Sequence, residues 1–125
     1  MNPTKVILIV DDEPEIRAVL AEFISRKGCK ILEAGSGSQA VEVLRTNHVD
    51  VVLTDLRMPN GDGLMVVEAI RAMPDPRPPA VLLSAYADLP PEQVLRLAAV
   101  PVLSKPFQLA QVWRTINIWL KVDAF

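Results

Sequence analysis

Hydrophobic and polar positions along this chain switch repeatedly between two periods, and that switching predicts its elements. Val6 to Val10 is an unbroken apolar run, VILIV, that ends on Asp11, Asp12 and Glu13. Such a run reads as a strand that delivers these carboxylates into the next loop. Ile16, Val19, Leu20, Phe23 and Ile24 then recur on one helical face, and Gly28 is placed to end that helix. Lys30 to Ala34 predicts a second strand, and Ser36 with Gln39 resembles a capping box opening a helix that ends near Asn47. Val51, Val52 and Leu53 predict a third strand, buried on both faces, that runs straight into Asp55, and Pro59, Asn60, Gly61 and Gly63 form a loop that cannot continue it. Leu64, Val67 and Ile70 mark a third helix, stopped by the prolines between 74 and 79. Ala80 to Ser84 is a fourth strand, and Pro90 with Pro91 suits the first turn of a short helix through about Ala99. Val100 to Ser104 is a fifth strand, in which Pro101 removes a ladder donor and so belongs at a sheet edge. Leu109, Val112, Trp113, Ile116 and Leu120 make the apolar stripe of a last helix.

Five strands alternating with five helices imply a parallel α/β sheet covered on both faces and connected by right-handed crossovers. The first and third strands must be neighbours if the carboxylates at their ends are to meet. The doubly wound, flavodoxin-like order 2-1-3-4-5 achieves this and puts the fifth strand at an edge, where Pro101 is tolerated. The carboxyl ends of the strands are also where ligands bind in such sheets. At 125 residues the chain is expected to form a single domain, 1-125, and its 50% hydrophobic content argues against disorder. A net charge of −2 and a pI near 5.3 provide no electrostatic reason for this domain to bind nucleic acid directly. Cys29 is the single cysteine, which excludes an internal disulfide and suits a reducing compartment. No apolar run approaches membrane-spanning length, and Met1 to Lys5 leads into a strand rather than a signal peptide. The expectation is a cytoplasmic protein with no membrane contact.

The grouping of charged ends sets the chemistry. Asp11, Asp12 and Asp55 crowded at one rim would repel one another unless a cation offset their charge. Few hard oxygen ligands suit Mg2+, with Mn2+ as a substitute. A carboxylate beside such an ion can attack phosphorus and form an acyl phosphate. Lys105, following the fifth strand, is placed to supply a second positive charge, and Ser84, ending the fourth, offers a hydroxyl to a phosphoryl oxygen.

These residues resemble the receiver domains of two-component response regulators over essentially the whole chain. The resemblance rests on IVDDEP at Ile9 to Pro14, LTDLRMPNGDG at Leu53 to Gly63, LLSAYAD at Leu82 to Asp88 and SKPF at Ser104 to Phe107, four motifs in the family's order and spacing. It implies that Asp55 is the phosphoacceptor in a Mg2+-dependent phosphorelay, served by a sensor histidine kinase or a phosphotransfer protein. It implies that Asp12, Asp55 and the backbone carbonyl of Arg57 hold the metal, that Asp11 assists through water, and that Ser84 and Lys105 contact the phosphoryl group. It further implies a cis peptide between Lys105 and Pro106, a geometry that only X-Pro bonds reach at modest cost. Such a domain catalyses its own phosphorylation and dephosphorylation as a switch rather than acting as an enzyme on other substrates. Arg57 and Tyr86, bulky residues flanking the site, imply slow dephosphorylation.

One position departs from the family. Three residues before the lysine, where receivers usually carry Tyr or Phe, this chain has Val102, with Pro101 beside it. The usual relay from Ser84 through that ring is therefore in question, and switching is expected to be weak or to pass through the Tyr86 to Pro91 loop. A pseudo-receiver that binds partners regardless of phosphorylation is the main rival. A metal-dependent phosphohydrolase usually places a second carboxylate two residues after its nucleophile, where Arg57 stands, and a flavin carrier would not put acidic residues after its first strand. Ordinary structural roles suit the remaining candidates: Glu13 and Glu15 fit a helix N-terminus, His48 a loop, Cys29 a partly buried filler and Trp113 the core, with Trp119 covering the core or meeting a partner. The motifs leave the cognate kinase and the downstream partner unidentified.

Overall fold

Apolar side chains on both faces force Val51–Asp55 into the middle of a sheet. The structure, a computed structural model that describes residues 4–84 and 100–122, places it there. The elements are β1 (Val6–Val10), α1 (Pro14–Ser25), β2 (Lys30–Ala34), α2 (Gly37–Thr46), β3 (Val51–Asp55), α3 (Gly63–Arg71), β4 (Ala80–Ser84), β5 (Val102–Ser104) and α4 (Leu109–Leu120). The sheet is parallel throughout, in the expected order β2-β1-β3-β4-β5. The helix expected near residues 90–99 and the Tyr86 to Pro91 loop lie outside the described residues.

Alternate residues of the central strands feed two cores, as the two-residue side-chain period requires. Ile7, Ile9, Val51, Leu53, Val81 and Leu83 pack with α1 and α4, whereas Leu8, Val10, Val52 and Leu82 pack with α2 and α3. Every residue of β3 and β4 is buried. In α4 the predicted stripe packs on the core, with Val112, Trp113, Ile116 and Leu120 buried and Leu109 partly buried, while Trp119 is partly exposed. Lys27 lies over the rings of Phe23 and Trp113, at 5.1 and 5.7 Å from their centroids, and ties the end of α1 to α4.

Local chemistry explains where the elements stop and where the expectations need correction. Ser36 Oγ accepts the Gln39 N–H at 3.1 Å, but the Gln39 side chain accepts from Gly35 N–H at 2.6 Å rather than from Ser36, so half of the capping box is shifted by one residue. The first helix ends at Ser25, earlier than Gly28 suggested; Gly28 sits at φ +89° and turns the chain towards β2. The fifth strand was expected from Val100 and begins only at Val102. Pro101 has no N–H to give the ladder, yet its carbonyl still accepts from Leu82 at 2.9 Å, so the proline flanks an edge strand instead of sitting inside it. His48 is exposed and pairs with Asp50 at 2.9 Å, and Asp50 in turn accepts the Val6 N–H at 2.8 Å. Cys29 is part of the core, and burial, with the charge of Asp50 pushing the same way, raises its thiol above the ordinary range.

Candidate functional site

Parallel pairing of β1 with β3 aligns Val10 with Thr54, so the residues just beyond each, Asp11 and Asp55, emerge side by side at the carboxyl rim. β4 extends the rim: Asp55 lies opposite Leu83, which brings Ser84 one step past it, and Ser84 pairs with Ser104, the residue before Lys105. Register thus brings to one rim the residues that the sequence singled out at the ends of β1, β3, β4 and β5. Asp11, Asp12 and Asp55 each present a carboxylate oxygen within 4.8 Å of the others, with Asp11 and Asp55 buried and Asp12 exposed. On the other side of Asp55, Lys105 Nζ donates to Oδ2 at 3.1 Å. Ser84 is buried, and its carbonyl accepts the Lys105 N–H at 2.7 Å, which fixes where the lysine leaves the sheet. The Lys105–Pro106 peptide is cis, as the sequence led one to expect. Arg57 is exposed and opens the loop after β3, whose next residue, Met58, is buried in the core beside α2 and α3.

The described side chains leave negative charge in excess on the Asp11 side of the rim. Asp11 Oδ1 accepts the Glu13 N–H at 2.9 Å, but its buried Oδ2 has no hydrogen-bond partner among the described residues. Burial raises the Asp11 carboxyl above its usual range, and the charges of Asp55 and Asp12 push the same way, against the Glu13 hydrogen bond and Lys105. That oxygen, unpartnered among the described residues, and the Asp11, Asp12 and Asp55 carboxylates gathered within 4.8 Å make a donor set of hard oxygens, which fits Mg2+ or a similar divalent ion.

Three supporting contacts escaped the sequence reading. Arg17 Nη1 donates to the Asp11 carbonyl at 2.8 Å while its Nε pairs with Glu33 at 3.0 Å, bracing the acidic turn from α1 and β2. Nothing in the local pattern announces a pair formed across sixteen residues. Gly63 has a readable cause only in hindsight: a Cβ there would stand 2.5 Å from the Asp55 carbonyl, so only glycine lets α3 begin this close to the site. Asp62 accepts the Met65 N–H at 3.1 Å, an N-cap that the spacing of polar residues before Leu64 could have revealed.

Comparison with known proteins agrees with this geometry. The family model for the response regulator receiver domain matches residues 7–117. The regulatory protein AtoC of Escherichia coli is 36% identical over 113 residues, covering 90% of this chain but 24% of its own length, so the chain spans about a quarter of that relative. The response regulator protein TrrA of Thermotoga maritima, solved in complex with Mg(2+)-BeF, is 30% identical with a TM-score of 0.82 over 93% of this chain and 99% of its own. The receiver domain of a Pseudomonas aeruginosa sensor histidine kinase, solved with a magnesium ion in its active site cleft, is 28% identical with a TM-score of 0.83 over 95% and 99% of the two chains. With the family model spanning nearly the whole sheet and its helices, the chain belongs to the response regulator receiver domains of two-component signalling.

Proposed function

We propose that this chain is a phosphoacceptor switch, one domain over residues 1-125 that takes a phosphoryl group onto Asp55 from a sensor histidine kinase or phosphotransfer protein. The observation that carries the reading is the placement of the Asp55 carboxylate between the Lys105 ammonium at 3.1 Å and the Asp11 and Asp12 carboxylates. A carboxylate oxygen of Asp55 attacks phosphorus, the phosphorus–nitrogen bond of the donor phosphohistidine breaks, and the imidazole nitrogen leaves with the electron pair. Phosphoryl transfer needs alignment and charge neutralisation more than covalent assistance. Lys105 supplies part of that charge, moving from Asp55 Oδ2 to the arriving phosphoryl oxygens, and Ser84 offers its hydroxyl to one of them.

Asp11, Asp12, Asp55 and the Arg57 carbonyl are the groups that would hold Mg2+, or Mn2+ in its place. Bound there, the ion would offset the carboxylates and the phosphoryl oxygens. An apolar groove of about 410 Å³ formed by Ile16, Val19, Leu20, Pro106, Phe107 and Leu109 runs beside Lys105 and offers a protein donor a surface next to the reacting carboxylate. The setting is cytoplasmic, where such donors and ATP-derived phosphoryl groups reside; no described helix is long and apolar enough to cross a membrane.

Incubation with MgCl2 and acetyl phosphate, followed by intact mass, tests the reading. A single phosphate adduct in the wild type and none in Asp55→Asn is expected; an adduct that survives in Asp55→Asn overturns it. A partner-binding module indifferent to phosphorylation is the second reading, favoured by the 38% exposed Val102 on β5, and it predicts partner affinity unchanged by the adduct.

A further inference from the structure

The loop that follows Asp55 is held from behind by a helix belonging to a different βα unit. Asn60 and Gly61 take left-handed backbone at φ +60° and +101°, and this turns their two carbonyls towards the start of α2. Gly37 N–H donates to Gly61 O at 2.8 Å, and Ser38 donates to Asn60 O through both its Oγ at 3.0 Å and its N–H at 3.4 Å. The first turn of any helix has amide donors with no partner inside the helix. In α2 only Gln39 has its N–H met by a side-chain cap, from Ser36; those of Gly37 and Ser38 are spent on the loop. The approach is close enough to require glycine: a Cβ on residue 37 would lie 2.6 Å from Gly61 O and 2.9 Å from Asp62 O.

We propose that the N-terminus of α2 is a latch on this loop, with Gly37 and Ser38 acting as positioning residues that set how tightly the site binds magnesium. The proposal rests on the reading that the Arg57 carbonyl, at the other end of the same short loop, is a metal ligand. Buried Met58 and the Asp62 cap on α3 flank Asn60 and Gly61, so the latch holds the stretch that runs back through Met58 to the Arg57 carbonyl. Coupling of this kind is reciprocal: if the latch favours metal binding, metal binding tightens the latch by the same factor. Occupancy of the Asp55 site then reaches α2 by a route that does not pass through Val102.

Calorimetric titration of MgCl2 into the full chain, paired with amide hydrogen exchange, decides the matter. Gly37→Ala is expected to weaken magnesium binding about tenfold and Ser38→Ala roughly threefold, and magnesium should slow exchange at Gly37 and Ser38 in the wild type by similar factors. Leu44→Val, in the core at the other end of α2, costs stability without touching the loop and should bind magnesium like the wild type. Wild-type affinity in Ser38→Ala together with unaltered exchange at residues 37 and 38 would overturn the latch even if Gly37→Ala does not fold. An equal loss of affinity in Leu44→Val would also overturn it, by reducing the effect to general destabilisation. Absence of magnesium binding in the wild type would instead strike the metal reading, and the latch would fall with it.

Discussion

Asp11 shows most directly how a single residue of this protein is at odds with its surroundings. Its carboxyl is buried, one oxygen has no hydrogen-bond partner among the described residues, and burial together with Asp55 and Asp12 raises its proton affinity in the folded chain. A carboxyl whose folded pKa lies above its unfolded value subtracts stability once pH exceeds the folded value, and the penalty fades as pH falls back towards the ordinary carboxylate range. Asp11→Asn keeps an oxygen for the Glu13 N–H and replaces Oδ2 with a donor that can face Asp55. In metal-free buffer at pH 7 this variant should melt higher than the wild type, by a few degrees. The gap should close as pH falls through the raised Asp11 pKa, where the wild type protonates. Thermal unfolding in chelator across pH checks both statements, and a variant that melts lower at neutral pH would show that the charge is already balanced by Lys105.

Among the elements, those built from local patterns were legible and those settled by distant partners were not. The apolar runs of β1, β3 and β4 announced strands, that of β3 one buried on both faces, the spacing of Ile16 to Ile24 and of Leu109 to Leu120 gave the helices, and the carboxylates at the ends of β1 and β3 demanded that those strands be neighbours. The brace from Arg17 to Glu33 and the latch from Gly37 to Gly61 join residues far apart in the chain, and no window of sequence contains both halves. β5 lies between the two cases, since Pro101 correctly marked an edge but also shortened the strand. The same short strand bears on the proposed switch: Val102 is more than a third exposed, and a branched aliphatic side chain there has no ring to swing inward were Ser84 to engage a phosphoryl group. Adding fluoroberyllate with Mg2+ should therefore move amide resonances at residues 55–62, 84 and 105 while leaving those of α4 nearly in place. Large shifts running from Val102 to Trp113 would mean that β5 relays the signal without an aromatic.

The whole molecule makes the site and the fold a single equilibrium. The carboxylates come from the ends of β1 and β3 and the ammonium from the residue after β5, so the cluster exists only while these strands are held in register. Both faces of the central strands are buried in continuous cores, which leaves little room for the rim to open while the remainder stays folded. A cation that binds this cluster and not the unfolded chain stabilises the fold by about 1.4 kcal/mol at ten times its Kd. For a domain of this length that amounts to a rise in Tm of roughly 5 °C, growing with the logarithm of the magnesium concentration. Asp12 is the informative residue to remove, because it is exposed and contributes nothing to either core. Asp12→Asn should melt close to the wild type in chelator and lose most of the magnesium-dependent rise. If magnesium raises its Tm as much as that of the wild type, the ion is bound elsewhere on the surface, and the carboxylates at the rim serve some purpose other than holding it.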